Sequence, residues 1–157
     1  MQFDKKNSST TLIPLNIEGT SALVARDLAY ATVSSAQMLD IYLPQGEGPF
    51  PLIIYVHGGG FRFGDKRENE AISSFGSVLA AGYALASINY RLSGEAKFPA
   101  QIQDVKAAVR WLRAYAADYQ LDPQRFGAWG ASAGGHLVCL LGTSGGVTSL
   151  EGSELGY

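Results

Sequence analysis

A chain of 157 residues and 16.7 kDa with 46% apolar residues has the material for one domain with a real core. Its net charge of −2 and sequence pI of about 5.6, with Lys and Arg scattered along the chain, argue against a nucleic-acid or anionic-membrane partner. The single cysteine, Cys139, excludes an intrachain disulfide, and no run reaches the ~18 apolar residues a membrane span needs. The charged start Met1-Gln2-Phe3-Asp4-Lys5-Lys6-Asn7 has no apolar stretch behind it, so a soluble, cytoplasmic protein is expected.

Residues 1–20 are polar without a sustained period and read as a flexible arm or cap segment, which leaves 21–157 as the domain. Val24 to Tyr30 and Met38 to Leu43 read as strands joined by the polar turn Ala31 to Gln37, forming an antiparallel hairpin at a sheet edge. The loop Pro44-Gln45-Gly46-Glu47-Gly48-Pro49 follows. Leu52 to Val56 and Tyr83 to Asn89 are nearly continuous apolar runs, as expected of central parallel strands covered on both faces. Between them Ala71, Ile72, Phe75, Val78 and Leu79 keep a helical period that Gly82 ends, completing a βαβ pattern. The dense mixed charge from Arg62 to Glu70 reads as a solvated helix start.

A second helix opens near Pro99 and carries the apolar stripe Ile102, Val105, Val109, Leu112 and Ala116. Asp104 falls on it, and Arg91 follows the preceding strand, which leaves two readings open: an Arg91–Asp104 ion pair that fixes this connection, or two solvated charges. Phe126 to Trp129 then forms a strand that leads into Gly130-Ala131-Ser132-Ala133-Gly134 and the apolar helix Gly135 to Leu141, where His136 and Cys139 read as packed residues. Five strands and three helices are thus expected to end at about Gly142.

Two glycine-rich segments carry the chemistry. A Gly-x-Ser-x-Gly between a strand and a helix puts the serine on a sharp turn, which makes Ser132 the candidate nucleophile; the pentapeptide alone also reads as a glycine-rich turn holding an ordinary serine. Upstream, a strand runs straight into His57-Gly58-Gly59-Gly60-Phe61, whose glycines free backbone N–H groups to face an anion. A phosphate-binding loop is excluded because Gly64 precedes Asp65 where a lysine is required, and a dinucleotide fingerprint fails because Phe63 stands in place of its third glycine. His57, His136 and Cys139 have no usual ligand spacing, so neither a metal nor a cofactor is expected.

These segments, in order with Asp40-Ile41-Tyr42-Leu43-Pro44, Asn89-Tyr90-Arg91-Leu92, Phe98-Pro99-Ala100 with Asp104, and Leu121-Asp122-Pro123, resemble the α/β-hydrolase superfamily, specifically its carboxylesterase branch related to hormone-sensitive lipase. The resemblance covers roughly residues 24–146. It implies the N-terminal half of an α/β-hydrolase fold, a mostly parallel sheet with an antiparallel edge hairpin and helices on both faces. It further implies Ser132 as nucleophile, the Gly59, Gly60 and Ala133 amides as the oxyanion hole, and His57 as an anchor of its loop. Phe61 and Phe63, following the glycines, are candidates to line the substrate pocket.

The triad of this fold runs Ser, then Asp or Glu, then His. After Ser132 the only acidic residues are Glu151 and Glu154, and the only histidine is His136, one helical turn along from the serine. The expected function is therefore a serine carboxylesterase that cleaves small carboxylic esters through an acyl-enzyme. A C-terminal half or second chain would supply the Asp and His, or a homo-oligomer would form through the edge strand Phe126 to Trp129. Alone, the chain is expected to be weakly active or inactive; the alternatives are a non-catalytic esterase-like binding module and an inactive truncated fragment.

Overall fold

The computed structural model describes residues 10–157. Its sheet contains six strands, β1 (Ile13–Ile17), β2 (Thr20–Ala29), β3 (Met38–Leu43), β4 (Phe50–Val56), β5 (Ala84–Ile88) and β6 (Leu121–Gly130), in the order β1-β2-β3-β5-β4-β6. The pairings β1–β2, β2–β3 and β3–β5 are antiparallel, whereas β5–β4 and β4–β6 are parallel. The sheet is therefore mixed, with a larger antiparallel part than the predicted edge hairpin.

The difference lies at β1, inside the segment predicted as an arm. Glu18 and Gly19 both have positive φ and close a two-residue hairpin turn, with the Asn16 side chain accepting from the Gly19 N–H. Ile17 is thereby buried beside Phe75, and β1 rather than the β2–β3 hairpin takes the sheet edge. The rest of the predicted arm, residues 1–9, lies outside the described residues.

Three helices cover the sheet: α1 (Asn69–Ala80), α2 (Ala100–Ala114) and α3 (Ala133–Thr143). Because strand side chains alternate between faces, the apolar strands contribute to two separate cores. Leu39, Ile41, Leu52, Ile54, Val56, Ala86 and Ile88 meet α2 and α3 through Ile102, Val105, Trp111, Leu112 and Leu137. Val24, Tyr42, Tyr55 and Leu85 meet α1 through Phe75 and Leu79. Fully burying one such side chain is worth about 1.5–3 kcal/mol, which makes the α2 stripe the main attachment of that helix. Its predicted members Ile102, Val105 and Leu112 are buried, while Ala116 is buried just past the helix end.

The chain beyond α3 returns to α2. Arg110 donates to the carbonyl oxygens of Glu151, Gly152 and Gly156, and Lys106 Nζ donates to the Ser144 carbonyl oxygen and to Glu151 Oε1. At the opposite side of the sheet β6 is an edge, pairing with β4 alone among the described residues. Two departures from expectation lie on the helix that follows β6: Cys139 and His136 are exposed rather than packed, because they fall off the face of α3 that buries Ala133 and Leu137.

Candidate active site

The parallel register of β4 with β6 pairs Val56 with Gly130, so the two strands end side by side and their following loops meet. A side chain on Gly58 would lie 3.1 Å from the Ala131 carbonyl oxygen and 3.6 Å from Ser132 Cβ, which puts the triple-glycine loop against the serine turn. Ser132 is exposed and caps α3 with φ 53° and ψ −121°, a conformation that non-glycine residues rarely adopt. Ala133 is buried in the first turn of α3, where N–H groups have no intrahelical acceptor and the helix dipole favours negative charge.

The strain at Ser132 has a measurable consequence. Ser132→Gly should raise stability by about 1 kcal/mol, a thermal midpoint gain of roughly 2–4 °C, because glycine adopts positive φ without a Cβ clash. A midpoint unchanged or lowered in a calorimetric scan would mean that the turn is unstrained.

The first loop is built as a closed turn. Gly59 has φ 109°, its carbonyl oxygen accepts from the Arg62 and Phe63 N–H groups, and a side chain there would overlap the Phe63 carbonyl oxygen. Among the described residues the N–H groups of Gly59 and Gly60 have no acceptor. His57 is buried and stacks on Tyr90 at 4.4 Å between ring centroids, while the Tyr90 hydroxyl donates to the His57 carbonyl oxygen at 2.9 Å. His57 Nδ1 lies 2.7 Å from the Gly58 carbonyl oxygen, which can only accept, so Nδ1 carries the proton. Burial depresses the His57 pKa below its usual value, partly offset by that bond, and favours the neutral ring.

The two aromatic candidates differ. Phe61 is half-buried, has φ 62°, packs against the main core and meets the His136 ring edge-on at 5.7 Å. Phe63 is 68% exposed.

The charged run Arg62 to Glu70 is not a solvated helix start, as α1 begins only at Asn69. Lys66 is buried, and its ammonium meets Asp27 at 2.8 Å and the fully buried Asp40 at 3.4 Å. Arg67 bonds both of the same carboxylates. Asp27 reaches them because the β2–β3 register shifts between Ala25 and Leu28, and a bulge re-aims a strand side chain. The hydrogen bond from Arg67, then that from Lys66, hold the Asp27 pKa down to about 2. One sequence signal for this network is Asp40 itself, which shares a strand face with the core residue Tyr42.

The Arg91–Asp104 ion pair is present. Asp104 is fully buried and accepts from Arg91 N, Nε and Nη2 and from Gln37 Nε2. Tyr90, which anchors His57, is a residue that residue-by-residue reasoning missed although it stands within the Asn89-Tyr90-Arg91-Leu92 motif. Among the described residues no group of three His, Cys, Asp or Glu side chains is placed to hold a metal ion, and no helix is long and apolar enough to cross a membrane.

The BD-FAE family model matches residues 39–157. Esterase LipQ of Mycobacterium tuberculosis is 34% identical over 128 residues, covering 80% of this chain and 30% of LipQ. A solved structure described as a truncated form of carbohydrate esterase from gut microbiota superposes with a TM-score of 0.78 at 39% identity, covering 85% of this chain and 50% of that one. A bifunctional GH43-CE protein of Bacteroides eggerthii gives a TM-score of 0.78 at 41% identity, covering 85% of this chain and 19% of that one. The chain spans between 27% and 36% of the length of six curated relatives that bear esterase, carboxylesterase or carboxylic ester hydrolase names.

Proposed function

Because this chain belongs to the BD-FAE family, an α/β-hydrolase-type group whose relatives here are carboxylic ester hydrolases, we propose that it carries the nucleophile and oxyanion hole of a serine carboxylesterase. The observation that supports this reading best is the positive-φ Ser132 at the start of α3, set against the Gly58 backbone. In the proposed reaction Ser132 Oγ attacks the ester carbonyl carbon, and the developing oxyanion takes hydrogen bonds from the Gly59, Gly60 and Ala133 N–H groups. The C–O bond to the alcohol breaks to leave an acyl-serine, which water hydrolyses to the free acid. Phe61 and Phe63 flank the glycines on the substrate side. Small esters fit the reading, and the likeness to a carbohydrate esterase favours acylated carbohydrates among them.

Neither histidine fits the role of general base. His57 is buried with Nδ1 committed to a backbone carbonyl, and His136 stands one turn along the same helix that Ser132 caps. In this reading the base, and with it the orienting acid, is supplied from outside these 157 residues. Without a base a serine hydroxyl is a weak nucleophile, leaving on the order of 10³–10⁴-fold catalysis over water from the oxyanion hole and binding.

A fluorophosphonate probe with intact-mass detection tests both parts. The chain should label slowly, label faster with added imidazole as a substitute base, and carry the adduct on Ser132, with none on Ser132→Ala. Labelling that survives Ser132→Ala would remove Ser132 as nucleophile. Full ester turnover without imidazole would place the base inside this chain.

A further inference from the structure

Both ends of the Gly58–Phe63 loop are tied to neighbouring residues at the end of β5. Tyr90 holds the entrance, through its bond to the His57 carbonyl oxygen and its stack on the ring. Asn89 holds the exit: its Oδ1 accepts from the Lys66 N–H at 2.6 Å and its Nδ2 donates to Asp65 Oδ2 at 2.8 Å. Ser87 Oγ donates to the Lys66 carbonyl oxygen at 2.7 Å, and the tip is held where the Ser93 N–H meets the Phe61 carbonyl oxygen. Entrance and exit also touch, since a side chain on Gly64 would overlap the His57 ring and lie 2.7 Å from the Gly58 carbonyl oxygen. Residues 64–67 thus adjoin the start of the glycine loop.

The exit is further fastened by charge. Lys66 and Arg67 reach across to Asp27 on β2 and Asp40 on β3, with the Lys66 and Asp40 side chains 4% and 0% exposed. A buried ion pair adds little net stability over apolar packing of the same volume, but its directional bonds admit few arrangements. We propose that Lys66 and Arg67, gripped by Asp27 and Asp40, are positioning residues that fix the exit of the triple-glycine loop and so the direction of the Gly59 and Gly60 N–H groups. This rests on the reading of that loop as the oxyanion hole.

The test is site-resolved amide hydrogen exchange on the 157-residue chain. Lys66→Met leaves Arg67 paired with both Asp40 and Asp27, and Asp27, at 59% side-chain exposure, is also open to water, so no carboxylate is stranded and the sheet retains its pairing. Its Arg62, Phe63 and Ser93 amides should exchange about tenfold or more faster, beyond any change at β5 amides, because local opening is measured against global unfolding. Asp27→Asn, a milder change at an exposed carboxylate, should move the same amides in the same direction, and Lys66→Arg should restore most of the protection. Lys106→Met is the control: it removes a similarly buried lysine paired with Glu151 and bonded at the C-terminal end of α3, the end away from Ser132, and should leave these amides unchanged relative to β5.

Loop amides that follow β5 in Lys66→Met and Asp27→Asn, or that respond as strongly to Lys106→Met, would overturn the proposal. The readout needs no turnover. Selective loop loosening with no Ser132 labelling would support the clamp and remove the catalytic reading, whereas Ser132 labelling with an indifferent loop would remove the clamp alone.

Discussion

Gly134→Ala should destabilise the protein by about 3 kcal/mol, lowering its thermal midpoint by roughly 6–12 °C. A methyl group there would overlap the Val56 carbonyl oxygen, and it would sit 2.8 Å from the Val56 carbonyl carbon and 2.7 Å from the His57 carbonyl oxygen. All three are backbone atoms at the end of β4, so no side chain can swing away. The first turn of α3 would have to lift from the sheet, carrying the Ala133 N–H with it. Gly142→Ala, on the same helix, provides the contrast: its added methyl meets nothing within 4 Å. There the higher helix propensity of alanine should stabilise by about 0.5–1 kcal/mol. Thermal or urea unfolding of the two variants should therefore give opposite signs. Equal effects would mean that α3 does not depend on close approach to β4.

Asp104→Asn is expected to cost about 3–5 kcal/mol in urea unfolding, although the two side chains have the same shape. Both carboxylate oxygens of Asp104 face donors: Arg91 N, Nε and Nη2 on one side of the connection and Gln37 Nε2 on the other. An amide offers one acceptor oxygen and turns its NH2 toward a further N–H, while Arg91, its side chain 13% exposed, loses its counter-charge. The damage extends in two directions. Gln37 Oε1 accepts from the Val33 and Ser34 N–H groups and so shapes the turn between β2 and β3. Arg91 adjoins Asn89 and Tyr90, the residues that hold the triple-glycine loop. A loss under about 1 kcal/mol would place this pair with exposed ion pairs of little consequence.

Much of the architecture is legible without coordinates because it is encoded locally. The apolar runs before His57 and before Asn89 become the parallel strands β4 and β5, and the stripe through Ile102, Val105 and Leu112 becomes the buried face of α2. Gly-x-Ser-x-Gly predicts a sharp strand-to-helix turn, and Ser132 takes positive φ there. Where the reading departs from the structure, the deciding contacts are distant in sequence. Lys66 and Arg67 sit in a polar run that looks solvated, yet the acids that pair with them lie on β2 and β3. Cys139 and His136 sit in an apolar helix that looks packed, yet the core lies against a different face, that of Ala133 and Leu137.

The sequence by itself determined the three helices and every strand but β1, where each glycine-rich turn falls and which serine stands on it, because periodicity and backbone freedom are properties of neighbouring residues. Only the tertiary structure decided that β5 lies between β3 and β4, that Val56 pairs with Gly130 so that Gly58 meets Ser132, and that four charges converge behind the loop. Strand order, register and bulge position arise from the competition among faces for burial. The adjacency of loop and serine, on which the proposed chemistry depends, is a product of that competition.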